Sequence, residues 1–102
     1  MKKFLIEVPH GADKRSCIEA MEVFLKSGSH FLANADWGCI DDDHTARMMV
    51  DVESREDALQ IVPPLYREQA KITRMIKITR EEVDHYIEEH DLDDIGGFHT
   101  KN

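Results

Sequence analysis

Residues 31–52 constrain this chain more than any other stretch, because two alternating runs flank Asp41-Asp42-Asp43 in a pattern that fits a hairpin. Pairing Cys39 with His44 sets Trp37 opposite Ala46, Ala35 opposite Met48, Ala33 opposite Val50 and Phe31 opposite Val52. This register gathers nearly every apolar side chain of both runs on one face. A slip of one residue would send them to opposite faces, so the alignment is well specified. The other face carries His30, Leu32, Asn34 and Asp36 beside Arg47, Met49 and Asp51.

The flanking segments supply the rest of a small domain. Lys3–Val8 alternates too, with Phe4, Ile6 and Val8 on one side and Leu5 and Glu7 on the other, until Pro9-His10-Gly11 ends it. Asp13 can cap a helix whose stripe is Cys17, Met21, Phe24, Leu25 and Gly28, with Gly28 as its stop. Ser54 opens a second helix with Asp57 in the capping-box position, and Ala58, Leu59, Ile61 and Val62 form its apolar side. Pro63-Pro64 then bends the chain ahead of a strand over 71–79, with Ile72, Ile76 and Ile78 pointing inward. Thr79-Arg80-Glu81-Glu82 is another capping box and starts a third helix that runs to about His90. Residues 1–90 read as one domain. The tail 91–102 is acidic, with paired glycines and only Leu92, Ile95 and Phe98 as anchors, and is expected to be mobile or to lie on a partner subunit.

The order is strand, helix, strand, strand, helix, strand, then an added helix. With a right-handed crossover its economical packing is one four-stranded antiparallel sheet, order 4-1-3-2, with helices on one face. That is an α+β, ferredoxin-like βαββαβ arrangement with an extra C-terminal helix. A chain of 102 residues with a formal charge of −8 suits a single acidic domain whose surface repels phosphate. Nucleic acid and anionic membrane are therefore not expected partners. No apolar run reaches the ~20 residues of a membrane span, and the opening "MKKFLIEVPHG" is broken by Glu7 and His10. A cytoplasmic location follows as the expectation. Cys17 and Cys39 make neither a disulfide framework nor a C-x-x-C pair, so reduced thiols are the default.

"FLIEV" at the start, "ARMMVDVESREDAL" between strand and helix, and "VPPLYREQAKITRMIKI" before the last strand resemble the dimeric α+β barrel superfamily. Its members include muconolactone isomerase-like and antibiotic-biosynthesis-type monooxygenase-like proteins. The resemblance runs from Met1 to about Thr79 and implies a homodimer. Two sheets would meet through their helix-free faces, around an interior that holds a small organic molecule.

Two places can carry chemistry. On the helix-free face, Glu7 is expected between strands bearing Arg47 and Lys77, with Leu5, Leu32, Met49 and Met75 between the charges. Glu7 would be a general base, Arg47 and Lys77 would stabilise negative charge, and Asn34, Asp36, Met49, Tyr66 and Met75 would contact the ligand, with no cofactor required. The same pattern fits a ladder of cross-strand ion pairs without catalysis. The second place is the end of the sheet where His10, Cys39 and His44 all point to the helix side, with Asp13 and Cys17 close by. Imidazole and thiol suit zinc or another transition metal, giving a metal-binding or redox-sensing alternative. Against it, Ile40–Asp43 resembles an ordinary acidic turn, and Cys17 on the core stripe reads as an inert thiol. Trp37 is expected to pack against the first helix. A third reading is an interaction domain with no ligand.

Overall fold

A computed structural model describes residues 1–90; the tail 91–102 lies outside the described residues. Among the described residues one antiparallel sheet holds β1 (Lys2–Pro9), β2 (Asp36–Gly38), β3 (Asp43–Val52) and β4 (Lys71–Met75). The order across it is β2-β3-β1-β4, which is 4-1-3-2 counted from the other edge. Four helices accompany it: α1 (Lys14–Lys26), α2 (His30–Ala33), α3 (Arg55–Ile61) and α4 (Arg80–His90). The chain is α+β. None of the described helices is long and apolar enough to cross a membrane.

The alternation read in β1 and β3 decides where the core lies. Phe4, Ile6 and Val8 pair with Val50, Met48 and Ala46, and all six are at most 5% exposed. Phe24 of α1, Leu32 of α2, Ala58 of α3 and Val62 just beyond it close over that face. Each large apolar side chain buried in this way contributes ~1.5–3 kcal/mol.

Helix ends follow their predicted caps. Ser16 donates its backbone N–H to Asp13 Oδ2 (3.0 Å), and Asp57 donates to Ser54 Oγ (3.1 Å). At α4 the box is reciprocal: Glu82 N–H donates to Thr79 Oγ1 (3.1 Å), while Thr79 N–H donates to Glu82 Oε1 (2.8 Å). Gly28 takes φ +82°, which accounts for a glycine just past the end of α1.

Several expectations need correction. The predicted strand over 31–39 forms only at Asp36–Gly38; Trp37 does pair with Ala46, but residues 30–33 are helical. Ser29 accepts from Leu32 N–H and caps that helical turn, which swings Leu32 into the core at 2% exposure and leaves Phe31 at the surface. Leu32 is therefore not on the outer face, and Ala33 and Phe31 have no partners on β3. Cys39 does not pair with His44 either, because it begins a 3₁₀ turn, Cys39–Asp41, and Gly38 pairs with Asp43 across a register shift. Glycine is needed there, since a Cβ on Gly38 would stand 2.8 Å from the Asp43 carbonyl oxygen.

The last strand stops at Met75 rather than Thr79, since Lys3 is already opposite Met75 and β1 has almost no chain left to pair. Ile76 and Ile78 are consequently exposed, not inward. Lys77 thus lies outside the strand, and the β4 neighbour of Glu7 is Lys71. On α1 the buried residues are Cys17, Ala20 and Phe24, while Leu25 of the expected stripe faces solvent.

Candidate metal centre

The ends of β1, α1, the 3₁₀ turn and β3 converge at one rim of the core. His10 directly follows β1 and donates its N–H to the His44 carbonyl (3.0 Å), which extends the β1–β3 pairing by one step. That bond aligns the two imidazoles, whose ring centres are 5.8 Å apart at 87°. Asp13 then caps α1, and Cys17 N–H makes a helical bond to the Asp13 carbonyl (3.1 Å). This fixes Cys17 in the first turn, facing the sheet. Cys39 enters from the opposite side on the 3₁₀ turn, which closes through Asp42 N–H to the Cys39 carbonyl (2.9 Å) with Asp42 left-handed at φ 64°.

These four backbone paths bring together one atom each of His10, Cys17, Cys39 and His44, all within 4.8 Å of one another. Cys17 Sγ and Cys39 Sγ are 3.2 Å apart, and Cys39 Sγ is 3.4 Å from His10 Nε2. With zinc bond lengths, a tetrahedral site spaces its donors about 3.3–3.8 Å apart. To meet that geometry the cluster contracts by ~1 Å at its widest, while the two sulfurs, now 3.2 Å apart, spread by ~0.5 Å. Two thiolates and two neutral imidazoles would also balance the charge of a divalent ion.

The protonation chemistry suits the same use. Burial, and then the neighbouring His44 ring, hold His10 below its ordinary pKa, against a weaker opposing pull from the Val8 backbone. A neutral imidazole is the ligand form. Burial raises the Cys39 thiol, and Cys17 raises it further, so two adjacent thiolates are disfavoured without a cation. The Nδ1 atoms of His10 and His44 are both buried without a hydrogen-bond partner, an uncommon condition in a folded domain. The other nitrogen of His44, Nε2, is 3.0 Å from Asp42 Oδ1. Metal-bound histidines are commonly held by just such a carboxylate.

Trp37 walls the site on its core side. Its ring is 5.4 Å from that of His10 and 5.1 Å from that of Phe24, so it packs against α1 as expected. His10, Cys39 and His44 thus meet as read from the sequence, and Cys17, read there as an inert core thiol, joins them. Its usable signal was position: it stands one helical turn into the helix that starts right after His10, at the same end of the sheet.

The other candidate residues are placed less favourably. Arg47 donates from Nε to Glu7 (3.0 Å) and is also 2.9 Å from Asp43, so Glu7 is held in an ion-pair ladder. Lys77 lies at the opposite end of the face, in a shallow groove with Lys3, Met49, Met75 and Ile76, away from Glu7. Asn34 and Asp36 share a second shallow groove with Met49, but the Asn34 amide donates to the His30 carbonyl (2.8 Å) to close α2. Tyr66 is only 8% exposed and packs edge-on against Phe24 (6.0 Å), which makes it a core residue and no part of a pocket mouth. Glu7, Arg47 and Lys77 are therefore not gathered around one point.

Compared with known proteins, the chain matches no family model, no curated protein and no solved structure.

Proposed function

We propose that this protein is a metal-binding module whose His10, Cys17, Cys39 and His44 hold one zinc-class divalent ion. The observation that carries this reading is the meeting, within 4.8 Å, of four ligand side chains from four separate segments. Surface residues rarely assemble so; here the backbone of β1, α1, the 3₁₀ turn and β3 supplies one each. Four protein ligands fill a tetrahedral ion and leave no position for substrate, so the role is structural or regulatory rather than catalytic. Elemental analysis of untagged protein, with a Cys39→Ala control, tests it. Near-stoichiometric metal lost in the variant is expected; substoichiometric metal unaffected by the substitution would dispose of the reading.

A second reading concerns the helix-free sheet face. Met49 is 51% exposed there, beside half-buried Leu5 and Met75 and the Glu7–Arg47 pair, a mixture that favours cover by another chain. On this reading the domain is a ferredoxin-like member of the dimeric α+β barrel superfamily, acting in the cytoplasm as a homodimer. A small organic molecule would bind between its two sheets. The strand order β2-β3-β1-β4 supports the fold assignment. Sedimentation equilibrium tests the dimer, and a monomer at every concentration would remove both dimer and pocket.

A further inference from the structure

We infer that Cys17 and Cys39 form a peroxide-oxidisable pair whose disulfide expels the bound ion, making the metal centre a redox-responsive one. The ion in this scheme rests on the metal-binding reading above; the sulfur chemistry rests on geometry alone.

The two sulfurs are 3.2 Å apart, and a disulfide needs about 2.05 Å, a closure of roughly 1 Å that side-chain rotation can supply. No other pair of cysteines exists in the chain, so an internal disulfide has a single possible connectivity. Access is unequal. Cys17 is 9% exposed on the buried side of α1, whereas Cys39 is half-buried on a turn whose next residue, Ile40, is 94% exposed. Peroxide therefore meets Cys39 first. His10 Nε2, 3.4 Å from that sulfur, is placed to pass protons during the reaction.

The chemistry balances with hydrogen peroxide as oxidant. The Cys39 sulfur attacks one peroxide oxygen, the O–O bond breaks, and the other oxygen leaves as water, giving a sulfenic acid. Cys17 sulfur then attacks the sulfenic sulfur, the S–O bond breaks, and a second water leaves. Two thiols and one hydrogen peroxide become one disulfide and two waters; from the ion-bound state, where both sulfurs are thiolates, two protons taken from water complete the same balance. Both sulfurs are oxidised and the peroxide oxygens reduced. A bound ion would thereby lose both thiolate ligands and keep only His10 and His44, which cannot balance a divalent charge. Structural zinc in such a site leaves.

The test treats zinc-loaded full-length protein with hydrogen peroxide, following released zinc with a chromogenic chelator and the protein by intact mass and peptide mapping. The expected result is loss of two hydrogens, a peptide joining Cys17 to Cys39, one zinc released per link, and recovery of zinc binding after dithiothreitol. Cys17→Ser should stop at a sulfenic acid on Cys39 that dimedone captures. Zinc release without the Cys17–Cys39 link, or links only between chains, would overturn the inference while leaving the metal site standing. If the metal-stripped protein forms the link but no preparation takes up zinc, the metal reading falls and the expulsion step with it. Should Cys17→Ser fail to fold, peptide mapping of the wild-type protein alone decides the matter.

Discussion

His44 and Asp42 are joined by a 3.0 Å contact between Nε2 and Oδ1, across a turn in which Asp42 is left-handed. The carboxylate accepts the Nε2 proton, so Nδ1 is the nitrogen left with its lone pair, and that atom is buried without a partner. An exposed aspartate thus sits behind a ring that belongs to the candidate His/Cys cluster.

Removing that carboxylate should weaken the centre without damaging the fold. Asp42→Gly suits the site, since glycine adopts the left-handed backbone at φ 64° with no penalty. Zinc affinity is expected to fall about 10–100-fold, the usual cost of losing a partner behind a metal-bound histidine. Competition titration against a chelator reads the change; an unaltered affinity would show that Asp42 does not orient His44.

Metal uptake should strengthen as pH rises. Both Cys17 and Cys39 must give up a proton to bind, so the apparent affinity gains up to about 100-fold per pH unit while both thiols are protonated. Cys39 is raised above its ordinary 9.0, which extends the dependence on the alkaline side. His10, held below its ordinary 6.5, is already neutral at pH 7 and adds no further proton there. Potentiometric measurement of protons released on adding zinc checks this, and release of none at pH 7 would contradict it.

Trp37 should report the centre directly. It is the only tryptophan, and its ring is 5.4 Å from that of His10. Cobalt(II), a paramagnetic substitute for zinc, is expected to quench its emission with a break at one equivalent. In Cys39→Ala the break should vanish. Emission indifferent to metal in the wild-type protein would count against the site.

The Glu7–Arg47–Asp43 ladder should matter little to stability. The Arg47 side chain is 39% exposed and that of Asp43 49%, so solvent screens both pairs. Arg47→Met is expected to leave the denaturant-unfolding midpoint almost unchanged. Phe24→Ala, by contrast, removes a ring that is 0% exposed and should cost ~3–5 kcal/mol. A large loss in Arg47→Met would return the helix-free face to the list of functional sites.

Periodicity made β1 and β3 legible, because one face of each is buried and a period of two cannot be mistaken there. Residues 30–33 were not legible from alternation. Carrying the period of two back from residues 35–39 makes a strand of "HFLA" although Leu32 breaks the pattern, and the competing signal, Ser29 as a cap, acts through a single hydrogen bond from Leu32 N–H. Alternation gives the face of Lys77 but not its register: β4 pairs Glu7 with Lys71 and Lys3 with Met75, so Lys77 would fall opposite Met1 even if the strand ran on to Thr79. Alternation and the antiparallel order set His10 and His44 at one end of the sheet; Cys39 reaches them from a 3₁₀ turn rather than from the expected pair with His44, and Cys17, read as close by but inert, comes from the first turn of α1.

The placement of β1 has a consequence for how the molecule is made. It precedes the other three strands of this sheet along the chain, yet it lies inside the sheet, bonded to β3 along its whole length and to β4 along five positions. A chain emerging from the ribosome therefore carries β1 with an open edge until Met75 is free to pair. The helices that cover Phe4, Ile6 and Val8 all come earlier in the chain than β4, so the last thing the emerging domain lacks is a partner for that backbone edge, the kind of edge other chains can pair with.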